Sequence, residues 1–205
     1  PMHHTYELTC HIFTGLYQGM AVAICEGLRY IQQNLKESQA TVMVAVPIIF
    51  ESMHKKIWKQ AESSGSAGKL RRMLDLSRRT KLFNNQQLMR KIFAKVHQSI
   101  GNNVKIFIAG GAAINPQVIK DYEAMGIPMI QGYGMTENSP IIAVHKDCYS
   151  KAESVGIPMP GTEIKISEPD SSGIGEIICK GPSVMLGYYK DPEATAEAIR
   201  DGWLY

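Results

Sequence analysis

With 205 residues, 44% of them hydrophobic and 20% charged, the chain can bury one sizeable core and begin a second unit, and its composition is globular rather than disordered. A formal net charge of +3 is too mild to demand nucleic acid or a membrane, because a few lysines on a solvated face give the same balance; no nucleic-acid partner is expected. The cysteines at 10, 25, 148 and 179 show no Cys-x-x-Cys spacing and follow no signal sequence, which predicts free thiols in a cytoplasmic chain. No apolar run approaches the roughly 20 residues needed to cross a bilayer.

From the amino terminus, residues 4–19 set Leu8, Ile12, Leu16 and Met20 at helical spacing, with Tyr6, Phe13 and Tyr17 between them, predicting a helix with a broad buried face. Ala21-Val22-Ala23-Ile24-Cys25 is entirely apolar, too short for a helix, and reads as a buried strand. Residues 27–38 read as a helix, 41–46 as a β-branched strand, and Pro47 opens a further helix, proline being tolerated in a first turn. After a Ser/Gly break at 63–68, residues 69–81 carry Lys69, Arg71, Arg72, Arg78, Arg79 and Lys81 against the single acid Asp75. This segment reads either as a peripheral contact with an anionic membrane or polyanionic substrate, or as a solvated helix with Leu70, Met73, Leu74 and Leu76 inward; the solvated helix is the plainer reading. Strands at 104–109 and 127–131 flank a helix at 116–125. The alternation predicts an α/β fold, a doubly wound and mostly parallel sheet with flanking helices.

Past residue 140 the pattern changes. Residues 163–167 alternate strictly and 175–180 follow across a Pro-Asp-Ser-Ser-Gly turn, which predicts an antiparallel hairpin. A last helix at 192–200 follows Asp191, a good N-cap. The expected division is therefore a partial α/β unit that binds nucleotide and acyl group at 1–142, part of an antiparallel β-barrel-like unit at 143–190, and a helix with the start of a strand at 191–205.

Chemistry concentrates in two glycine-containing loops, Gly110-Gly111-Ala112-Ala113 and Gln131-Gly132-Tyr133-Gly134-Met135-Thr136-Glu137, each following a strand. In a parallel sheet both emerge at the carboxyl edge, where open α/β sheets bind ligands. The bare backbone at Gly110 and Gly111 lets a flat group such as a purine approach, and Tyr133 offers a ring to stack on it. Thr136 offers a hydroxyl to a phosphate oxygen, and Glu137 a hard oxygen of the kind Mg2+ accepts beside a substrate phosphate. The same residues also fit an ordinary glycine turn with a surface glutamate. His3, His4 and His11 read as structural or pocket-lining rather than as a metal cluster.

Gly132-Tyr133-Gly134-Met135-Thr136-Glu137 closely resembles the adenine and magnesium motif of adenylate-forming enzymes, the family of acyl-CoA synthetases, luciferases and peptide-synthetase adenylation domains. The Gly110 loop, Ser154-Val155-Gly156-Ile157-Pro158, Gly175-Glu176-Ile177, the block from Gly181 to Tyr189 and Asp201-Gly202-Trp203 are similar to that family's other blocks, in the same order. The resemblance covers nearly the whole chain. It implies a reaction in which a carboxylate attacks the α-phosphate of ATP, giving an acyl-adenylate and pyrophosphate, after which a thiol takes the acyl group, with Mg2+ and coenzyme A taking part. It implies a nucleotide site formed by Gly110, Gly111, Ala112, Gln131, Gly132, Tyr133, Gly134, Met135 and Thr136, with Tyr133 stacking on adenine. Thr136 would hold the α-phosphate and Glu137 the metal, these two being the catalytic pair.

Pro1-Met2-His3-His4 resembles the family's Pro-x-x-His segment, and Glu7, together with Val46-Pro47 leading into Phe50-Glu51, resembles its long-chain fatty acid branch. By the same resemblance, His4, Leu8, Gly110 and Gly134 line the acyl pocket, and the expected acid is a long- or medium-chain fatty acid. An aryl or amino-acid adenylating relative and a nucleotide-binding module without turnover are the alternatives.

Three family features are not found between Pro1 and Tyr205: a Ser/Thr/Gly-rich phosphate loop upstream, a Thr-Gly-Asp that clasps the ribose, and a carboxyl-terminal domain bearing a catalytic lysine. The chain is thus expected to be a fragment of a larger amino-terminal domain that self-associates through an exposed apolar edge. The purified 205-residue chain is expected to form no acyl-CoA from ATP, fatty acid and coenzyme A, checked by a thioester assay.

Overall fold

Tyr6–Phe13 coils as a wide π-helical stretch that tightens into one α-helical turn, Thr14–Tyr17 (α1). The strand expected at 21–25 does not form, and Ala21, Ala23, Ile24 and Cys25 are exposed. An apolar run becomes a strand only by pairing, and no described strand lies beside it. Exposed apolar side chains accordingly follow one another along this part of the chain: Phe13, Leu16, Tyr17, Met20, Ile24 and Leu28. The structure, a computed structural model, describes residues 2–146 and 151–205. Pro1 and Cys148 lie outside the described residues, while Cys10, Cys25 and Cys179 are free thiols.

A 3-10 turn, Leu28–Tyr30, leads into Ile31–Glu37 (α2) and then Val42–Ala45 (β1). Pro47–Ser63 (α3) starts on its proline and buries Phe50, Met53, Ile57 and Ala61, the three-to-four spacing of one helix face. Ala67–Thr80 (α4) buries Leu70, Leu74 and Ser77. Of the apolar residues expected inward on α4, Leu76 instead points to solvent, 55% exposed. It sits one residue before Ser77, on a different face from the buried stripe. Gln86–Ile92 (α5) and Ala94–Ser99 (α6) precede Ile106–Ala109 (β2). Pro116–Ala124 (α7) follows, capped by the Asn115 side chain, which accepts from the amide of Gln117.

Met129–Gly134 (β3), Ile141–Val144 (β4) and Ile157–Pro158 (β5) complete a five-stranded sheet in the order β1-β2-β3-β4-β5. β1, β2 and β3 are parallel neighbours, and β4 and β5 add antiparallel strands at one side. A second, open sheet is antiparallel throughout. It consists of Glu163–Ser167 (β6), Glu176–Lys180 (β7), Ile199–Arg200 (β8) and Trp203–Leu204 (β9) in the order β6-β7-β9-β8, with Pro192–Ala198 (α8) before β8. The hairpin β6–β7 runs in register from Glu163–Lys180 to Ser167–Glu176, as the alternation predicts.

Alternation along β2 divides the main sheet. Phe107 and Ala109 are buried on the face covered by α3 and α7, where the Phe107 ring lies 4.8 Å from that of Phe50 and 5.0 Å from that of Tyr122. Burying each such aromatic ring contributes about 1.5–3 kcal/mol, and the Tyr122 hydroxyl donates to the carbonyl of Phe50 at 2.9 Å. Ile106 and Ile108 point to the other face, where Tyr6 donates from its hydroxyl to the Ile108 carbonyl at 3.1 Å. Helical segments thus flank both faces.

One polar cluster ties three helices together. Asp121 of α7, buried, accepts from His54 at 2.7 Å and from the Trp58 indole at 3.3 Å, both on α3. It also takes an ion pair from Arg78 of α4 and a bond from Gln117. Burial alone would raise the Asp121 pKa, but the hydrogen bonds from His54 and Gln117 and the Arg78 guanidinium outweigh it and hold the carboxyl below its ordinary value of 3.8. A folded-state value below the unfolded one contributes stability that is present above that ordinary value and lost as the pH falls through the folded one. Asp121→Ala is expected to lower the unfolding free energy by about 1–3 kcal/mol at neutral pH in urea denaturation, because it leaves the donors of His54, Trp58 and Gln117 without their shared buried acceptor. In Asp121→Asn the loss of stability below about pH 4 is expected to be shallower than in the unaltered protein.

Candidate functional site

The parallel register levels the ends of β1 and β2. Ala45 of β1 lies opposite Ala109 of β2, and Ala109 opposite Gln131 of β3, so the segments after β1 and β2 leave one edge together while β3 continues past it to Gly134. Gly110 is buried, while Gly111, Ala112 and Ala113 are exposed at that edge. Gly111 has φ +84°, a left-handed conformation that favours glycine, and a Cβ there would meet the Val46 side chain at 3.6 Å. The loop is tied back to α3 by Glu51, which accepts from the amide of Asn115 at 3.1 Å.

Only part of the second expected loop is a loop. β3 runs on through Gly132, Tyr133 and Gly134, which pair with β4, and the pairing slips by one position between Tyr133 and Gly134. The amide of Met135 donates to the Pro140 carbonyl at 2.9 Å, and a Cβ on Gly134 would fall onto that same carbonyl. Glycine is required at 134 because two backbones touch there. The run 132–134 carries strand hydrogen bonds that its glycine content disguised.

The remaining residues of the motif divide by surroundings. Gln131 is buried, and its side-chain amide donates to the carbonyls of Ala152 and Ser154, bracing the chain on the far side of β4. Tyr133 is half-buried among the side chains that join the sheets, with Ile142, Cys179 and Leu204 at the centre of that cluster. Burial, followed by the nearby Cys179 thiol, raises the Tyr133 pKa. Met135 packs into the same cluster. Thr136 and Glu137 stand in a short 3-10 turn, Thr136–Asn138, the former exposed and the latter half-buried. The Thr136 hydroxyl lies 3.3 Å from that of Thr5. The Glu137 Oε1 accepts from the Tyr188 hydroxyl at 2.9 Å, and its backbone carbonyl accepts from the amide of Met185 at 2.7 Å.

The amino-terminal segment lies over the face of the sheet opposite α3 and α7. His4 is exposed, its Nδ1 accepting from the amide of Tyr6 at 3.1 Å, and Leu8 is half-buried on the π-helical stretch. The Tyr6 ring occupies the space above Gly110, where a Cβ would lie 2.6 Å from the ring Cζ. Burial first, then Cys10 and Glu7, pushes the Tyr6 hydroxyl well above the ordinary tyrosine range. Of the expected acyl-pocket residues, Gly110 thus meets Tyr6, while Gly134 meets Pro140 across β4.

Three contributors escaped the sequence reading: Thr5, Tyr6 and Tyr188. Thr5 and Tyr6 sit in the helical pattern, and their use depends on a neighbour more than a hundred positions away in each case. Tyr188 stands in a quoted block, Gly181 to Tyr189, whose spacing assigns no partner.

The AMP-binding enzyme family model matches residues 1–189. Long-chain-fatty-acid–CoA ligase 1 of Homo sapiens is 32% identical over 223 residues, covering 100% of this chain and 31% of that protein. The chloroplastic long-chain-fatty-acid–[acyl-carrier-protein] ligase AEE15 of Arabidopsis thaliana is 30% identical over 251 residues, covering 99% of this chain and 34% of that protein. The chain therefore spans about a third of the length of these curated relatives. Among solved structures, the anthranilate CoA ligase AuaEII in complex with anthranoyl-AMP superposes with a TM-score of 0.70 at 15% identity, over 99% of this chain and 34% of that one, a likeness of fold.

Gly110→Ala is expected to displace the Tyr6 ring and break its bond to Ile108, costing about 1–3 kcal/mol. In a Tyr6→Ala background the same change is expected to cost less, with a coupling of about 0.5–3 kcal/mol in a double-mutant cycle measured by chemical denaturation.

Proposed function

The chain belongs to the family of AMP-binding enzymes, and from that premise we propose that it is the part of an ATP-dependent acyl-CoA synthetase that holds the adenylate and activates a fatty acid. The observation that carries this reading is the level register of β1, β2 and β3, which brings the Gly110 loop, the Thr136–Glu137 turn and the Thr5–Tyr6 segment to one edge of the sheet. Gly110, Gly111 and Ala112 line one side of the adenine and Tyr133, with Gly132 and Gly134, the other. Thr136 donates its hydroxyl to the α-phosphate, and Gln131 and Met135 support this strand from within the fold.

Glu137 suits a magnesium ion carried on the nucleotide. Among the described residues no three His, Cys, Asp or Glu side chains gather as a metal centre. Glu137 would hold such a cation through its one carboxylate beside the substrate phosphates, as suits Mg2+, and the cation would supply neutralisation of phosphate charge. The chain's own part is positioning and neutralisation, because substitution at phosphorus asks little covalent help from the protein.

The acid is a long- or medium-chain fatty acid, supported by the relatives that act on long-chain fatty acids at about 30% identity. His4 and Leu8 border its carboxyl end, and coenzyme A is the thiol that receives the acyl group.

Titration with a non-hydrolysable acyl-adenylate analogue, followed by calorimetry, tests the reading. Tyr133→Leu keeps apolar packing between the sheets but removes the ring, and is expected to weaken binding about tenfold or more, the worth of one stacked base. Binding that is indifferent to Tyr133 would overturn the assignment of this edge as the adenine site.

A further inference from the structure

Tyr188 belongs to a block that the nucleotide and acyl assignments leave without a role, yet it reaches the one carboxylate of the glycine-rich turn. Its hydroxyl donates to Glu137 Oε1 at 2.9 Å. The segment that carries it is fixed from several directions. The Met185 amide donates to the Glu137 carbonyl at 2.7 Å, so the two segments are joined through backbone as well as side chain. The Tyr188 amide donates to Thr195 Oγ1 at 2.9 Å, and that hydroxyl donates to the Asp191 carbonyl at 2.7 Å. Asp191 in turn caps α8 by accepting from the amide of Ala194 at 3.0 Å. Gly187, at φ +144°, lies so close to Thr195 that a Cβ would stand 2.7 Å from its Cγ2. Tyr189, the next residue, is 88% exposed and carries none of these ties.

A flexible glutamate at the rim of a site samples several rotamers, and a cation that needs one of them binds less tightly for each alternative. Groups that hydrogen-bond a metal-binding carboxylate fix its orientation. We infer that Tyr188 is a positioning residue for Glu137: its phenol holds one carboxylate oxygen and leaves the other to the cation that accompanies the nucleotide. The inference rests on the reading of Glu137 as the metal-binding group. It gives the second sheet a part in the site, since Tyr188 is anchored to α8 and not to the parallel strands.

The test is a titration of Mn2+, an EPR-visible substitute for Mg2+, into the intact protein with a non-hydrolysable ATP analogue. It compares the unaltered protein with Tyr188→Phe, Tyr189→Phe and Glu137→Gln. Tyr188→Phe is expected to weaken Mn2+ binding about tenfold, with melting temperature and metal-free nucleotide affinity unchanged, and Tyr189→Phe to leave all three as they were. Glu137→Gln is expected to lose Mn2+ more completely. If Tyr188→Phe binds Mn2+ as the unaltered protein does while Glu137→Gln does not, the role of Tyr188 is overturned and that of Glu137 stands. A fall in melting temperature or in metal-free nucleotide affinity with Tyr188→Phe overturns it in favour of a structural role. If the unaltered protein takes up no Mn2+, or Glu137→Gln takes it up normally, the metal reading and the inference fall together.

Discussion

The parallel register of three short strands is the constraint on which the rest of the molecule depends. Val42–Ala45, Ile106–Ala109 and Met129–Gly134 are brief, yet they pair so that Ala45, Ala109 and Gln131 sit level. A slip by one residue would turn Phe107 away from Phe50 and Tyr122 and onto the opposite face of the sheet. The aromatic packing on one face therefore locks the register, and the register fixes which backbone atoms stand at the carboxyl edge. Loss of the stack would thus misplace the Gly110 loop and the Thr136–Glu137 turn together, although neither touches it.

The helical face is secured by chemistry of a different kind. Asp121 draws His54, Trp58, Gln117 and Arg78 onto one carboxylate, so that α3, α4 and α7 are linked by charge and hydrogen bonds as well as by apolar contact. This bears on the basic segment 69–81. Arg78 pairs with Asp121, and Arg71 lies over the Trp58 ring at 5.6 Å, so two of its cations have partners on neighbouring helices. Lys69, Arg71, Arg72, Arg79 and Lys81 are all exposed, and Leu76 stands among them.

Much of this was legible in the sequence, and its gaps have physical causes. The alternation of strand and helix, the cap at Asp191, the prolines opening α3, α7 and α8, and the hairpin β6–β7 all follow from local rules, and the structure shows each of them. What failed was whatever depended on a distant partner. The apolar run at 21–25 has strand composition but no strand to pair with among the described residues. Gly132 to Gly134 has the composition of a loop, yet becomes a strand because Ile141–Val144 lies antiparallel to it. The bonds from the buried Gln131 side chain to the carbonyls of Ala152 and Ser154 likewise have no signal in local spacing.

The same distinction explains why the two sheets act as one unit around Glu137. Side chains from β3 and β4 and from β7, β9 and the loop after β7 share one apolar cluster, centred on Ile142, Cys179 and Leu204. Cys179 also approaches Asn138, whose side chain donates to the Ile141 carbonyl at 2.9 Å inside the turn that presents Glu137. The turn is thus held from below by buried contacts and from the side by Met185 and Tyr188. Position by position, the parallel sheet decides where Glu137 stands, and the antiparallel sheet decides how its side chain is oriented. A change at the seam between the sheets would therefore be felt at the carboxylate before it was felt at Gly110, which is held by β1, β2 and Tyr6.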